Sequence, residues 1–328
     1  MQIYRSLSEL GSFTSSVVTI GNFDGVHCGH RMVIASVLER ARTLSTSAIA
    51  VTFDPHPAHV LHAGSRLPLI TPLDEKLRLL ADTGLDGVLV LAFTEELRHW
   101  TARHFAERVL RDGLRAVEVH EGETFRFGYQ AEADVAGLSE LGREFGFGVR
   151  AYVPYITRGS AISSSRIRAV IAAGRLQEAR ALLGRSFSVQ STPASGRGYG
   201  TLHAVPTINL APYSELLPGH GVYVSTLRIG GARTFRGVTN VGNRPTFGAD
   251  SFAVESHLLD FEPVALDETT PLELTFLKRL RAERRFESTE ALREQIRLDV
   301  QRTQRFFALT DALNVSLIAP ASETAERS

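Results

Sequence analysis

The first run able to do chemistry is Gly21-Asn22-Phe23-Asp24-Gly25-Val26-His27-Cys28-Gly29-His30, between the apolar string Val17 to Ile20 and an amphipathic stretch from Arg31 to Arg42. A strand that breaks into a glycine-rich turn and then a helix presents unpaired backbone N–H groups and the positive end of a helix dipole, and both attract phosphate. His27 and His30 sit three apart, with Gly29 letting the backbone approach, and can donate hydrogen bonds to a phosphoryl group as charge builds on it. Gly21, Asn22, Phe23, Asp24 and Gly29 are the further candidate contacts of this turn. A lone histidine caps or packs more often than it reacts, so the weight lies in the strand, turn and helix around the pair.

Three other stretches invite the same question. Ser163, Ser164 and Ser165 can open a helix and bond phosphate oxygens, and Arg166 beside them can clamp a triphosphate through two parallel N–H bonds. In Phe53-Asp54-Pro55-His56-Pro57 the prolines predict a rigid extended rim where Phe53 walls a flat ring. Gly196-Arg197-Gly198-Tyr199-Gly200 is flexible enough to lie over phosphates at Gly196 and Gly198, and reads equally well as a loop. His56, His59 and His62 do not make a metal site in this reading, because the prolines break the helix that would align them.

The elements that must position these residues come in two textures. Short apolar runs (Val17 to Ile20, Ala48 to Phe53, Val88 to Phe93, Ala116 to Val119) alternate with helical candidates (Glu75 to Ala81, Ala102 to Leu110), the rhythm of a parallel α/β sheet. Ile162 to Leu183 reads as two helices stopped by Gly174 and Gly184 and closing the first domain. Beyond Arg185, Gly221 to Ile229, Thr234 to Val241 and Phe252 to Phe261 are strand-like, with no helix between them, which predicts an antiparallel barrel or sandwich. Leu292, Ile296, Val300, Thr303 and Phe307 then form one helical stripe expected to pack on that barrel. The expected boundaries are 1–185, 186–310 and a tail over 311–328.

Composition removes several classes. A chain of 328 residues with 43% apolar and 22% charged residues is globular and long enough for two cores. Thirty-six basic residues balance thirty-six acidic ones, so bulk charge draws in neither nucleic acid nor anionic lipid. Lys76 and Lys278 are the two lysines and neither follows a glycine-rich turn, so a Walker-type phosphate loop is absent. The single Cys28 fits a reducing cytoplasm, and MQIYRSLSEL shows no basic-then-apolar leader. The longest apolar run, Val88 to Phe93, is far short of the ~20 residues of a membrane span. Nothing calls for a nucleic-acid, membrane or protein partner; small-molecule substrates are expected.

The turn resembles the HxGH signature of the adenylyl- and cytidylyltransferase superfamily, and GNFDGVHxGH in particular resembles the bacterial bifunctional riboflavin kinase/FAD synthetases. FDPHP, Gly122-Glu123-Thr124-Phe125-Arg126-Phe127-Gly128 and Ile162-Ser163-Ser164-Ser165-Arg166 match that family in order and spacing. The resemblance covers nearly the whole chain. It implies a Rossmann-like α/β nucleotidyltransferase domain followed by an antiparallel β-barrel riboflavin kinase domain with a C-terminal helix. It adds Thr124 and Phe125 to the nucleotide and flavin contacts of the first half. In the second half Pro206-Thr207-Ile208-Asn209 resembles the family's PTAN motif, implying Thr207 and Asn209 as Mg²⁺ ligands, with oxygen donors that suit that ion. Asn243, Arg244 and Thr246 fall in a loop near flavin and nucleotide, and Glu255 aligns with the catalytic base, expected at a strand end pointing into the barrel mouth. The implied activity is phosphorylation of riboflavin to FMN with MgATP, then transfer of AMP from ATP to FMN, giving FAD and pyrophosphate.

Two departures stand out. Thr124 replaces the usual Asn or Asp before FRFG, and Ala204-Val205 replaces a glycine and an aromatic ahead of PTIN. HxGH by itself does not choose the acceptor, so an adenylyltransferase for another phosphorylated substrate is one alternative. A flavin-binding regulator with one decayed site is a second.

Overall fold

Strands covered on both faces must be apolar throughout, and the apolar strings of the N-terminal half meet that condition. They become β2 (Ser16–Ile20), β3 (Ser47–Asp54), β4 (Gly87–Ala92) and β5 (Ala116–Gly122) of a parallel sheet whose edges are the more exposed β1 (Gln2–Tyr4) and β6 (Gly148–Tyr152), in the order β1-β4-β3-β2-β5-β6. The computed structural model describes residues 1–11, 14–62, 64, 66–157, 159–194, 207–243, 252–264 and 266–313. Helices α1 (Cys28–Leu44), α2 (Pro57–Leu61), α3 (Leu73–Ala81) and α4 (Val135–Phe145) belong to this unit.

Two apolar layers flank the sheet. On one face Ile34, Val37 and Ala41 of α1 and Leu77 and Leu80 of α3 cover Val17, Ala48, Ala50, Val88 and Val90. On the other, the helical segment from Ala102 to Gly113 and α4 bring Phe105, Val109, Leu110 and Leu138 onto Val18, Ile20, Ile49, Val51 and Val119. The chain steps from β2 through β3 to β4 on one side and places β5 and β6 on the other. The sheet therefore switches direction at β2, and the crevice at the carboxyl ends of such strands is where open α/β sheets bind ligands. Gly21 leaves β2 at that end.

By packing, the chain divides into Met1–Ser164 and Ser165–Ser328. Helices α5 (Ser164–Ala172) and α6 (Leu176–Leu183) start and stop where the serines and glycines predict, with Gly184 at φ 72° closing α6. They pack in the second unit rather than closing the first, because α6 buries Leu176, Ala179, Leu182 and Leu183 beside β7 (Phe187–Ser191) and a later strand of the same sheet. That sheet adds β8 (Thr207–Asn209), β9 (Gly221–Ile229), β10 (Arg233–Asn243), β11 (Phe252–Leu258) and β12 (Leu272–Arg281), ordered β7-β12-β9-β10-β11-β8 and antiparallel throughout. Its outer members meet at Pro193 and Leu210, where Ala194 N donates to Asn209 O and Ala211 N to Thr192 O, so the sheet curls into a barrel.

The last helix, α7 (Thr289–Ala312), packs on β9 and β10 as expected, but with a rotated face. Its buried residues are Gln295, Asp299, Thr303 and Phe307, while Leu292 and Ile296 of the expected stripe are 39% and 44% exposed. A buried ion pair displaces the aliphatic residues from the sheet: Arg281 Nε donates to Asp299 Oδ2 at 2.8 Å, and Gln295 Nε2 donates to Asp299 Oδ1 at 2.8 Å.

Candidate active sites

In the first unit the Gly21 turn runs into α1 under visible constraint. Phe23 and Val26 adopt φ of 47° and 38°, a region costly for any residue with a Cβ and most of all for a β-branched one. Phe23 is buried, with its ring against Gly21 and edge-on to His30 at 5.2 Å. His27 caps α1 by accepting the His30 N–H at Nδ1, 3.2 Å away, and the two imidazoles stack with centroids 3.6 Å apart. Gly29 makes this possible, since a Cβ there would sit 3.2 Å from the His27 ring.

Acceptance at Nδ1 puts the proton of a neutral His27 on Nε2. Burial, the neighbouring His27 and Lys76 hold the His30 pKa well below its usual value, and its Nδ1 is buried without a hydrogen-bond partner. Both rings are thus suited to donate from Nε2 to a phosphate oxygen.

The carboxylate of Asp24 turns inward. It accepts from the N–H groups of Ile70 at 2.9 Å and Thr71 at 3.0 Å, and Gly25 N donates in return to Thr71 Oγ1 at 2.9 Å. Ser164 Oγ donates to the Asp24 carbonyl at 2.8 Å, which brings Ser164 to the turn. Asn22 is exposed on the turn, and Ser163 is exposed just before α5.

Phe53 is half-buried at the end of β3 and packs edge-on to Phe93 at 5.7 Å. Pro57 opens a helix rather than extending a rim: it is the first residue of α2, capped by His56 Nδ1 accepting from Ala58 N. Thr124 lies exposed in a turn closed by Phe125 N donating to Gly122 O, and Phe125 stacks on Phe127 at 5.4 Å. His120 and Glu121 project to opposite faces of β5. His120 meets Tyr152 Oη at 2.9 Å, whereas Glu121 accepts from Ile20 N. Arg166 belongs to the second unit, where it pairs with Glu178 at 3.3 Å.

The second unit carries a cavity of about 540 Å³ lined by Thr207, Asn240, Gly242, Glu255, His257, Arg281, Glu283, Phe286, Leu292 and Ile296, among others. Along β11 the residues Val254, Ser256 and Leu258 are buried while Glu255 and His257 face this cavity, so the site is on the barrel's outer wall beneath α7. Glu255 is therefore mid-strand and outside, not at the barrel mouth. Register places it opposite Asn209 on one side and Asn240 on the other. Thr207 and Asn209 alternate with buried Ile208 and share a face, and Thr207 Oγ1 lies 3.3 Å from His257 Nδ1, whose pKa burial lowers. A hydroxyl, an amide oxygen and a carboxylate so disposed are hard donors of the kind Mg²⁺ takes. Asn243 ends β10 opposite Phe252. Gly196, Gly198, Arg244, Thr246 and the Ala204-Val205 departure lie outside the described residues.

Sequence reasoning gives Asp299 no role, weighs Glu121 only as a metal ligand beside His120, and notes Lys76 only as following no glycine-rich turn. Each has charged or polar residues beside it in sequence, Asp74, Glu75 and Arg78 around Lys76, Glu118 and His120 before Glu121, and Arg297 before Asp299, so only the fold that buries it marks it out.

Residues 11–166 match the family model for FAD synthetase, and residues 183–307 match that for riboflavin kinase. The chain is 33% identical over 313 residues to the bifunctional riboflavin kinase/FMN adenylyltransferase of Escherichia coli strain K12, covering 94% of this chain and 99% of that one. It is 35% identical over 302 residues to the protein of the same description from Pseudomonas fluorescens, covering 92% and 96%. A crystal structure from Streptococcus pneumoniae, described as a macrolide-efflux protein, superposes with a TM-score of 0.79 at 26% identity over 92% of this chain and 98% of that one. Among the described residues no helix is long and apolar enough to cross a membrane.

Proposed function

The chain belongs to the bifunctional riboflavin kinase/FMN adenylyltransferase family, and on that premise we propose how its residues divide the two reactions. The protein is a transferase with both activities, and its flavin and nucleotide substrates are small molecules. Residues 1–185 carry adenylyl transfer and 186–310 carry phosphorylation, with α7 running on to Ala312. This division is supported by the two family matches, although α5 and α6 pack with the second unit. Use of ATP and the presence of a single cysteine, Cys28, favour the cytoplasm.

In adenylyl transfer an FMN phosphate oxygen bonds to the α-phosphorus of ATP, the α–β anhydride breaks, and pyrophosphate leaves with the electron pair. His27 and His30 donate from Nε2 to the triphosphate, joined by the N–H groups of the Gly21 turn and by Ser163 and Ser164, and Arg166 is assigned to the triphosphate by its motif alone. Asn22 and Gly29 border the nucleotide, and Phe53, Thr124 and Phe125 border the ring systems.

In phosphorylation Glu255 accepts the proton of the ribityl hydroxyl as its oxygen attacks the γ-phosphorus and ADP leaves. Thr207 and Asn209 would hold Mg²⁺, which when bound draws charge off the ATP phosphates. Gly196, Gly198, Asn243, Arg244 and Thr246 are assigned to nucleotide and flavin contact by their motifs alone.

The observation that carries the reading is the pairing, on one chain, of stacked His27 and His30 at a helix N-terminus with Thr207 and Glu255 lining one cavity. Chromatographic separation of riboflavin, FMN and FAD after incubation with ATP and Mg²⁺ tests it. H27A is expected to lose FAD formation from FMN while still making FMN from riboflavin, and E255Q the reverse. Retention of both activities in both variants refutes the assignment.

A further inference from the structure

Lys76 follows no glycine-rich turn in sequence, yet the fold places it beneath one. It is 5% exposed on α3, and its ammonium donates to Asn22 O at 3.3 Å, Thr52 Oγ1 at 3.1 Å and Phe53 O at 3.2 Å. Thr52 Oγ1 in turn donates to Asn22 O at 3.3 Å. An ammonium has three N–H bonds, and here all three end on protein oxygens. The side chain therefore joins the Gly21 turn to the end of β3, two segments that meet at the sheet's switch point. It does not reach out to a phosphate as a P-loop lysine does.

Resting on the reading that this unit adenylylates FMN, we propose that Lys76 is the positioning cation of the adenylyl-transfer site. Its ammonium fixes the Asn22 carbonyl and the β3 end in binding geometry and places a buried positive charge under the ATP phosphates. The charge matters because Phe23 and Val26 hold the turn in a strained backbone that needs outside restraint, and a cation in a low-dielectric site acts strongly on a polyanion.

Burial draws the Lys76 pKa down to about 8, against the pull of Asp24 and Asp54, the carboxylates that face it. His30 of α1 also acts on it, and His30 is neutral at neutral pH. The ammonium is thus lost near pH 8 in the free enzyme. A bound triphosphate favours the charged form and moves that loss to higher pH.

Unfolding does not imitate this behaviour. Unfolded lysine keeps its proton to about pH 10.4, so between the two pKa values the unfolded chain binds more protons and folding stability from this group rises with pH. Activity that falls while stability rises separates a functional charge from a packing role.

The test compares wild type, K76M and K76R as full-length proteins, with FAD formation from FMN and FMN formation from riboflavin measured on the same preparations from about pH 6.5 to 9.5. For the wild type, kcat/KM for ATP in FAD formation is expected to fall with a midpoint near pH 8, and the limb in kcat to lie higher. K76M is expected to lose roughly 30-fold or more in that kcat/KM, with riboflavin phosphorylation within about twofold. K76R is expected to restore most of the loss and to remove the alkaline limb, since arginine stays charged. FAD formation by K76M within about threefold of wild type, an unchanged limb in K76R, or an equal loss in both variants overturns the proposal. A wild type that makes no FAD from FMN overturns the underlying reading itself.

Discussion

The imidazole of His27 lies on that of His30 with centroids 3.6 Å apart, and His27 Nδ1 accepts the His30 backbone N–H at 3.2 Å. Two stacked imidazolium ions would repel, and burial further disfavours the charged form of His30. On the proposed assignment, neutral His30 is therefore the working species at physiological pH. The kcat for FAD formation is expected to show no loss as pH rises from about 6 to 7.5, across the ordinary histidine range. H30A should lower its kcat about 100-fold, the scale for removing one preorganised donor, with riboflavin phosphorylation unchanged. A pH–rate profile that falls between those values would show instead that an imidazolium does the work.

The rotated face of α7 separates residues that pack from residues that bind. Phe307 is 3% exposed against Val224 and Leu277, whereas Leu292 and Ile296 line the cavity that holds Glu255. F307A is expected to cost about 3 to 5 kcal/mol of second-unit stability, and I296A less than about 1 kcal/mol while raising the riboflavin KM several-fold. Thermal unfolding beside kinase kinetics distinguishes them. A Tm loss in I296A equal to that of F307A would restore the stripe read from sequence.

The legible parts of this fold are those where burial writes an uninterrupted apolar run. β2, β3, β4 and the start of β5 are such runs, and the helices between them carry their own periodicity. β1 and β6 were missed because they are edge strands with alternating or exposed side chains, and β12 because Glu, Lys and Arg interrupt its pattern. The HxGH turn was readable because its residues are contiguous. Lys76 lies 54 residues from Asn22, and Glu121 lies 101 from Ile20, so the partners that give them meaning exist only after folding. Leu292 and Ile296 misled because a helix with a polar buried network offers its apolar residues to a ligand cavity rather than to the sheet.

Asp299 anchors that network. It is 2% exposed, pairs with Arg281 and accepts from Gln295, whose own amide oxygen accepts from Arg284. Removing a buried carboxylate strands the guanidinium it balanced, a loss of about 3 to 5 kcal/mol in a closed core and less here, where Arg281 borders the cavity. D299A is accordingly expected to lower second-unit stability by about 2 kcal/mol and to raise the riboflavin KM by freeing Arg281, with FAD formation from FMN unaffected. Chemical denaturation followed by Tyr223 and its neighbours, beside the two assays, checks both effects; an unchanged midpoint would mean the pair contributes nothing.

Glu121 stands near the end of β5, where Ile20 N of neighbouring β2 donates to its Oε1 at 2.5 Å just before the Gly21 turn. It is 4% exposed, and burial pushes its pKa well above the usual carboxylate value despite the bonds from Ile20 and Thr19. A neutral acid at this place keeps negative charge away from the Gly21 turn while still accepting the Ile20 N–H. In the unfolded chain the same group ionises near pH 4.5, so from there up to its folded pKa the folded state binds more protons and stability falls with rising pH. Glutamine keeps the acceptor and removes the titration. E121Q is expected to match wild type near pH 4 and to exceed it progressively above that, by about 1 kcal/mol per pH unit until the folded pKa is reached, with FAD formation within about threefold of wild type. First-unit unfolding measured across this range decides the point: if E121Q were less stable than wild type at neutral pH, the folded protein would be using an ionised carboxylate there, and the electrostatics of the adenylyl-transfer site would have to be redrawn around a buried negative charge.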